Sequence, residues 1–133
     1  MKNTCFKILF PFIAILQKIF PLLDKEKKCH VVNIGSMGGV QGSVKFPGLS
    51  IYSSSKAALA NLTECLAEEY GGQNIFINCL ALGSVQTEML ESAFPGYIAQ
   101  VSAGEMANYI VNFSLQEPMY MNGKIISVSN STP

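Results

Sequence analysis

Apolar residues fall along this chain in blocks whose spacing changes several times, and each change marks an element boundary. Between Cys5 and Leu23 the run is almost continuously apolar, interrupted by Lys7, Gln17 and Lys18 and punctuated by Pro11 and Pro21. Its length approaches that of a membrane span. The interruptions, and the lack of a small-residue cleavage pattern before Asp24-Lys25-Glu26-Lys27-Lys28, predict instead a buried or interface helix ending near Pro21. The charged run then reads as a solvated turn. Cys29 to Ile34 is a short β-branched run stopping at Gly35-Ser36, which is the pattern of a buried parallel strand.

From Ser53 the spacing turns helical. Ala57, Leu59, Ala60, Leu62, Leu66 and Ala67 form one side, Glu64, Glu68 and Glu69 lie elsewhere, and Gly71-Gly72 closes the helix. Ile75 to Leu82 is a second buried strand that delivers Gly83-Ser84-Val85-Gln86-Thr87 to the same sheet edge as Ser36. Glu88 to Tyr97 predicts a loop or short helix with apolar side chains able to cover a pocket. Ser102-Ala103-Gly104-Glu105 is a capping box opening a helix to about Ser114, with Met106, Tyr109, Ile110 and Phe113 as its buried stripe. Asn122-Gly123 makes a turn into a third strand over 124–128. Helices alternating with strands predict an α/β fold, a narrow parallel sheet of about three strands with right-handed crossovers and helices on both faces.

Composition narrows the function classes. The chain has 133 residues, enough for one domain; 49% are apolar and 14% charged, and the formal net charge is zero. These values exclude a disordered polyelectrolyte, and no basic cluster extends beyond Lys25 to Lys28, so no nucleic-acid partner is implied. Cys5, Cys29, Cys65 and Cys79 are too scattered for a metal knuckle or redox pair. They read as reduced, buried thiols in a cytoplasmic protein. The sole histidine, His30, has no partner histidine, and no metal site is expected.

Candidate chemistry centres on Tyr52-Ser53-Ser54-Ser55-Lys56-Ala57. Residues four apart share a helix face, so the Lys56 ammonium can favour an ionised Tyr52 phenol, which then serves as general acid and base. The same spacing also suits a packed ring beside a solvated lysine. Gly35-Ser-Met-Gly-Gly-Val-Gln-Gly42 fails as a phosphate loop: its glycine spacing is wrong, and Phe46-Pro47-Gly48 follows where a helix should open. It reads as a loop over the mouth of a pocket.

Taken together, these residues resemble the C-terminal half to two thirds of a short-chain dehydrogenase/reductase. Val31 to Ser36 is similar to the strand carrying that family's catalytic serine, Phe46-Pro47-Gly48-Leu49 leads into the Tyr52/Lys56 segment, and Ile77 to Thr87 is similar to the strand and loop that contact nicotinamide. Asn122-Gly123-Lys124 resembles the family's end. The resemblance implies a partial Rossmann-like sheet within one partial domain, 1–133, in which 1–23 is the apolar helix and 29–133 the catalytic and C-terminal part. It implies an NAD(P)-dependent oxidoreductase that reduces a carbonyl or oxidises an alcohol. Ser36 would hydrogen-bond the substrate oxygen, Tyr52 would exchange its proton, and Lys56 would lower the Tyr52 pKa and hold the nicotinamide ribose. Gly83 and Val85 would offer backbone groups to the carboxamide, and Thr87 would offer its hydroxyl to a phosphate.

Several family features have no counterpart in this sequence. These are the glycine-rich first turn, the selector of NAD or NADP, and the Asn-Asn-Ala-Gly strand. The expectation is therefore impaired cofactor binding and weak or no activity for this chain. Ile8 stands near the place of the family's helix asparagine, Asn3 reaches it only with an insertion, and Leu82 replaces a common proline. A homo-oligomer acting on a small, modestly hydrophobic substrate is expected. The alternative is a non-catalytic fragment working through oligomer or partner contacts.

Overall fold

A computed structural model describes residues 4–116 and 120–130, with side chains in the first helix from Phe10 onward. The apolar opening run forms α1 (Thr4–Ile19) and a single 3-10 turn, Phe20–Leu22. The helix runs straight through Pro11, although an interior proline costs a backbone hydrogen bond. Packing further along offsets that cost: Leu16 and Phe20 are buried, and Phe20 stacks on Tyr70 at 4.3 Å. Among the described side chains of α1, Phe10, Ile15 and Ile19 remain exposed, as does Leu22 of the 3-10 turn.

The strand predictions hold closely. β1 is Cys29–Ser36, β2 is Ile75–Leu82, and both pair in parallel from Cys29↔Ile75 to Ser36↔Leu82. Two two-residue strands, β3 (Val85–Gln86) and β4 (Val101–Ser102), form a separate small ladder too short to carry a periodic signal. β5 (Ile125–Val128) joins the other side of β2, giving the order β1-β2-β5.

α2 spans Ser50–Tyr70 and begins three residues before the expected start, with Ser53 N donating to Leu49 O at 2.8 Å. Its C-terminal glycine does not supply a left-handed cap, since Gly71 is right-handed; Asn74 takes the positive φ of the turn instead. Asn74 Nδ2 then donates to Lys25 O, and Asn74 O accepts from Cys29 N. α3 is Glu88–Ala93 and α4 is Ala103–Leu115, whose first turn carries both bonds of the Ser102/Glu105 capping box.

Side chains alternate across a strand, which places the helices. Asn33 of β1 bonds Thr63 of α2, and Ile75 and Ile77 share a core with Leu16, Phe20 and Ala67, so α1 and α2 cover one face. His30, on the alternate register, meets Phe113 of α4 on the other face. Both crossovers step the same way across the sheet, yet their helices lie on opposite faces. They therefore have opposite hands, and the expectation of uniformly right-handed crossovers is corrected.

Cysteine burial also departs from expectation. Cys79 is buried, Cys29 is half-buried and Cys65 is exposed.

Candidate active site

The parallel register sets the frame. Ser36, the last residue of β1, lies opposite Leu82, so its side chain and the loop starting at Gly83 leave from one sheet edge. Ser36 Oγ accepts from Gly38 N at 3.1 Å and caps the 3-10 turn Met37–Gly39. An accepting hydroxyl retains its own proton to donate.

That turn is a packing wedge against α2. A Cβ on Gly39 would lie 2.6 Å from the Lys56 carbonyl carbon and 2.7 Å from Ala57 N, a contact only glycine permits. A Cβ on Gly38 would lie 3.5 Å from Ser36 Oγ and 3.7 Å from Tyr52 Cε1, so the serine hydroxyl and tyrosine ring flank the same point. The loop after the wedge is held by its own groups: Ser43 Oγ donates to Met37 O and Val40 O, and Lys45 Nζ donates to Val40 O at 2.7 Å.

Tyr52 is in the first turn of α2 and Lys56 in the second. Lys56 Nζ donates to Ile34 O at 3.0 Å and stands 5.9 Å from the Tyr52 ring centroid, within cation–π range. Burial pushes the Lys56 ammonium below the ordinary lysine pKa, and neighbouring Cys79 partly opposes this. Burial pushes the Cys79 thiol up, against the Gly35 backbone, Lys56 and Thr63, which favour its ionised form.

The loop after β2 is committed to local structure. Gly83 N donates to Val128 O at 2.9 Å, leaving its carbonyl as the group it could offer a ligand. A Cβ there would lie 2.6 Å from Ser129 Oγ, so the close approach of the C-terminal strand requires glycine. Val85 is in the β3–β4 ladder, and Thr87 Oγ1 accepts from Leu90 N at 3.2 Å as the N-cap of α3.

A family profile described as short chain dehydrogenase matches residues 3–97. The chain belongs to the short-chain dehydrogenase family. It is 32% identical over 131 residues to mouse "Dehydrogenase/reductase SDR family member 4", covering 90% of this chain and 46% of the relative. It is 28% identical over 124 residues to the Thermotoga maritima "3-oxoacyl-[acyl-carrier-protein] reductase FabG", covering 86% and 49%. The solved structure described as "Pseudomonas aeruginosa RhlG/NADP active-site complex" superposes with TM-score 0.79 at 24% identity, over 98% of this chain and 56% of that one. The chain thus spans about half the length of the relatives it matches.

Sequence reasoning missed three contributors to the candidate site. Ile34 O, which anchors Lys56, is a backbone atom and has no sequence signal. Cys79 lies under Gly35, where a Cβ would come within 2.6 Å of its sulfur. Gly38-Gly39 was legible in principle, since paired glycines after a strand mark close backbone approach. Of the two candidates for the family's helix asparagine position, Asn3 lies outside the described residues, and Ile8 falls within α1. Among the described residues no helix is long and apolar enough to cross a membrane, and no acidic, histidine or cysteine cluster could hold a metal ion.

Two side chains keep donors for a ligand such as a nicotinamide dinucleotide. Lys56 spends one proton on Ile34 O and keeps two that could be donated to hydroxyls. Thr87, accepting from Leu90 N, keeps a proton for an anionic oxygen.

Proposed function

We propose that this chain carries the proton-transfer site of an NAD(P)-dependent oxidoreductase that interconverts a small carbonyl compound and its alcohol. One observation supports the reading above the others. Ser36, Tyr52 and Lys56, from a strand end and a helix start, meet at the C-terminal sheet edge beside the Gly83–Thr87 loop. That edge is where open α/β sheets hold ligands.

Reducing a carbonyl leaves negative charge on oxygen, which needs a hydrogen-bond donor and a proton in the same step. Ser36 donates its hydroxyl proton to that oxygen while Gly38 N fixes the hydroxyl's lone pair. Tyr52 delivers the proton from its phenol, and the Lys56 charge stabilises the negative charge that develops there. Bound NAD(P)H supplies the hydride. Lys56 holds the ribose, the carbonyl of Gly83 and backbone of Val85 orient the carboxamide, and the Thr87 hydroxyl donates to a phosphate.

Met89, Tyr97 and Ile98, exposed beyond Thr87, and the edge-on contact of Phe46 with Phe94 at 5.3 Å favour a modestly hydrophobic substrate. The three free cysteines among the described residues suit a reducing, cytoplasmic setting. Supplying NADH or NADPH with a panel of ketones tests the proposal. The activity of the chain itself is expected to be weak; Tyr52→Phe should abolish whatever cofactor oxidation the unsubstituted chain supports, and equal rates for both proteins would defeat the proposal.

A second reading, association between copies of the chain, draws on the exposed Ile15 and Ile19 of α1 and Leu22 of the turn after it. A single monomeric peak across a wide range of concentrations in size-exclusion chromatography would count against it.

A further inference from the structure

His30 is the only histidine in the chain, and it lies on the sheet face opposite α2. Its ring packs on Phe113 of α4 at 5.3 Å, and its Nε2 lies 3.1 Å from Asn78 Nδ2 on β2. The Asn78 amide has only one orientation open to it. Its Oδ1 accepts from Lys124 N at 3.0 Å, and its Nδ2 donates to Met121 O at 2.9 Å. A backbone amide can only donate and a backbone carbonyl can only accept, so the Asn78 nitrogen must face the ring. That nitrogen offers its second proton to His30 Nε2, which is therefore the unprotonated, accepting nitrogen. Neutral His30 carries its proton on Nδ1. Nδ1 is buried without a hydrogen-bond partner.

A second proton on the ring creates a conflict. Nε2–H would then face an NH2 group that cannot accept. Turning the Asn78 amide over presents Oδ1 to the ring, but it sets NH2 against the Lys124 N–H and Oδ1 against the Met121 carbonyl. Two of the bonds that fasten the approach to β5 onto β2 are lost together, while those of Gly123 N to Ile77 O, Ile77 N to Asn122 Oδ1 and Cys79 N to Lys124 O remain.

We propose that His30 is a protonation-controlled latch on the C-terminal strand: the neutral ring holds Asn78 in the orientation that clamps Met121 and Lys124 to β2, and the protonated ring releases them. The clamp has a direct route to the sheet edge. Lys124 O accepts from Cys79 N at 2.8 Å, β5 continues alongside β2, and Val128 O accepts from Gly83 N. Acidification thus loosens the strand that buttresses the Gly83–Thr87 loop.

Among the described residues, the titratable groups on the elements around the ring are Cys29 on its own strand and Lys28 just before it, Cys79 on β2, Tyr120 and Lys124 ahead of β5, and Tyr109 and Glu105 on α4. Glu105, the one carboxylate among them, is eight residues from Phe113, about 12 Å along the helix axis. Burial lowers the His30 pKa below the ordinary histidine value, with the Ser114 and Gln116 carbonyls opposing it. Folding therefore favours the neutral ring. The latch is fully engaged above the ordinary histidine value and loses its stabilisation as pH falls below it.

The test reads the unsubstituted protein by NMR over about pH 5–8. Long-range 1H–15N correlations of the single histidine report its tautomer, and hydrogen exchange at the Lys124 amide, corrected for intrinsic rates, reports the clamp. The expected result is the Nδ1–H tautomer at high pH, with Lys124 protection falling about tenfold along the His30 titration. His30→Phe retains an aromatic ring against Phe113 and should show no such step. An Nε2–H tautomer at high pH, or Lys124 protection that is flat through the His30 titration, would overturn the latch. Both measurements hold whether or not the variant folds.

Discussion

Gly35→Ala should be destabilising on its own and substantially rescued by Cys79→Ala. A Cβ at position 35 would come within 2.6 Å of Cys79 Sγ, about 1 Å inside ordinary contact of about 3.5–4.0 Å. The sulfur has nowhere to retreat, because Cys79 is fully buried in β2, which is paired on both sides. Overpacking of this kind costs about 1–3 kcal/mol. With a urea slope of about 2 kcal/mol per molar, a 2 kcal/mol loss moves the unfolding midpoint down by about 1 M. Cys79→Ala alone removes one buried atom and should cost about 1 kcal/mol. In the double variant the new methyl enters the space the sulfur vacated, and its next neighbour, Leu80 O at 3.3 Å, is tight by only a few tenths of an ångström. The double variant should therefore match Cys79→Ala to within about 0.5 kcal/mol, a coupling of about 1–2 kcal/mol. Urea unfolding followed by circular dichroism measures all four corners of the cycle. Additive losses would refute the steric account. Gly35 sits between Ile34, which anchors Lys56, and Ser36, so any activity should be lost and recovered along with stability.

Thr63→Val removes the acceptor for Asn33 Nδ2 in a buried site where Asn33 Oδ1 already lacks a partner; a loss of about 1–3 kcal/mol in urea unfolding is expected. Lys56→Met retains the straight side chain without its charge and should lower kcat/KM about a hundredfold or more in steady-state ketone reduction, while leaving the far-ultraviolet spectrum unchanged. Ser102→Ala should cost about 1 kcal/mol by removing the α4 cap. The Ser102 side chain and backbone hold the Glu105 carboxyl below its usual range, so its contribution is present above the ordinary glutamate value and lost as pH falls through the lowered one. The Ser102→Ala melting temperature should accordingly depend less on pH in the acid range than that of the unsubstituted chain.

Much of the architecture was legible because its signals are local. β2 was bounded correctly by its apolar run and the glycines at either end, and the α4 start by a four-residue capping box whose two bonds both form. The Tyr52/Lys56 spacing needed only helical geometry to be read, and Ser36 only the stop of a strand. What escaped depends on non-local partners. The wedge at Gly39 exists because α2 happens to pass there, and the loss of the Gly83 amide to Val128 O depends on a strand 45 residues further on. Crossover hand was misjudged because only the buried faces of α2 and α4 together reveal it. His30 looked inert as a lone histidine, and its significance comes from the Asn78 amide that two backbone groups hold in place.

Thr87 illustrates a property of the site that concerns timing rather than composition. Its oxygen caps α3 by accepting from Leu90 N, and a hydroxyl can do this while its proton remains free. Under the proposed function, donation to a phosphate leaves the cap intact, so capture of the anion requires no rearrangement of α3. The rotamer entropy of that side chain has already been lost in folding, and binding does not incur it again. A cap-competent Thr87→Asp would keep α3 ordered while repelling an anion, separating the helix's order from the ligand's arrival. Under that proposal the side chain is preorganised for binding by a bond it already makes as the cap of α3.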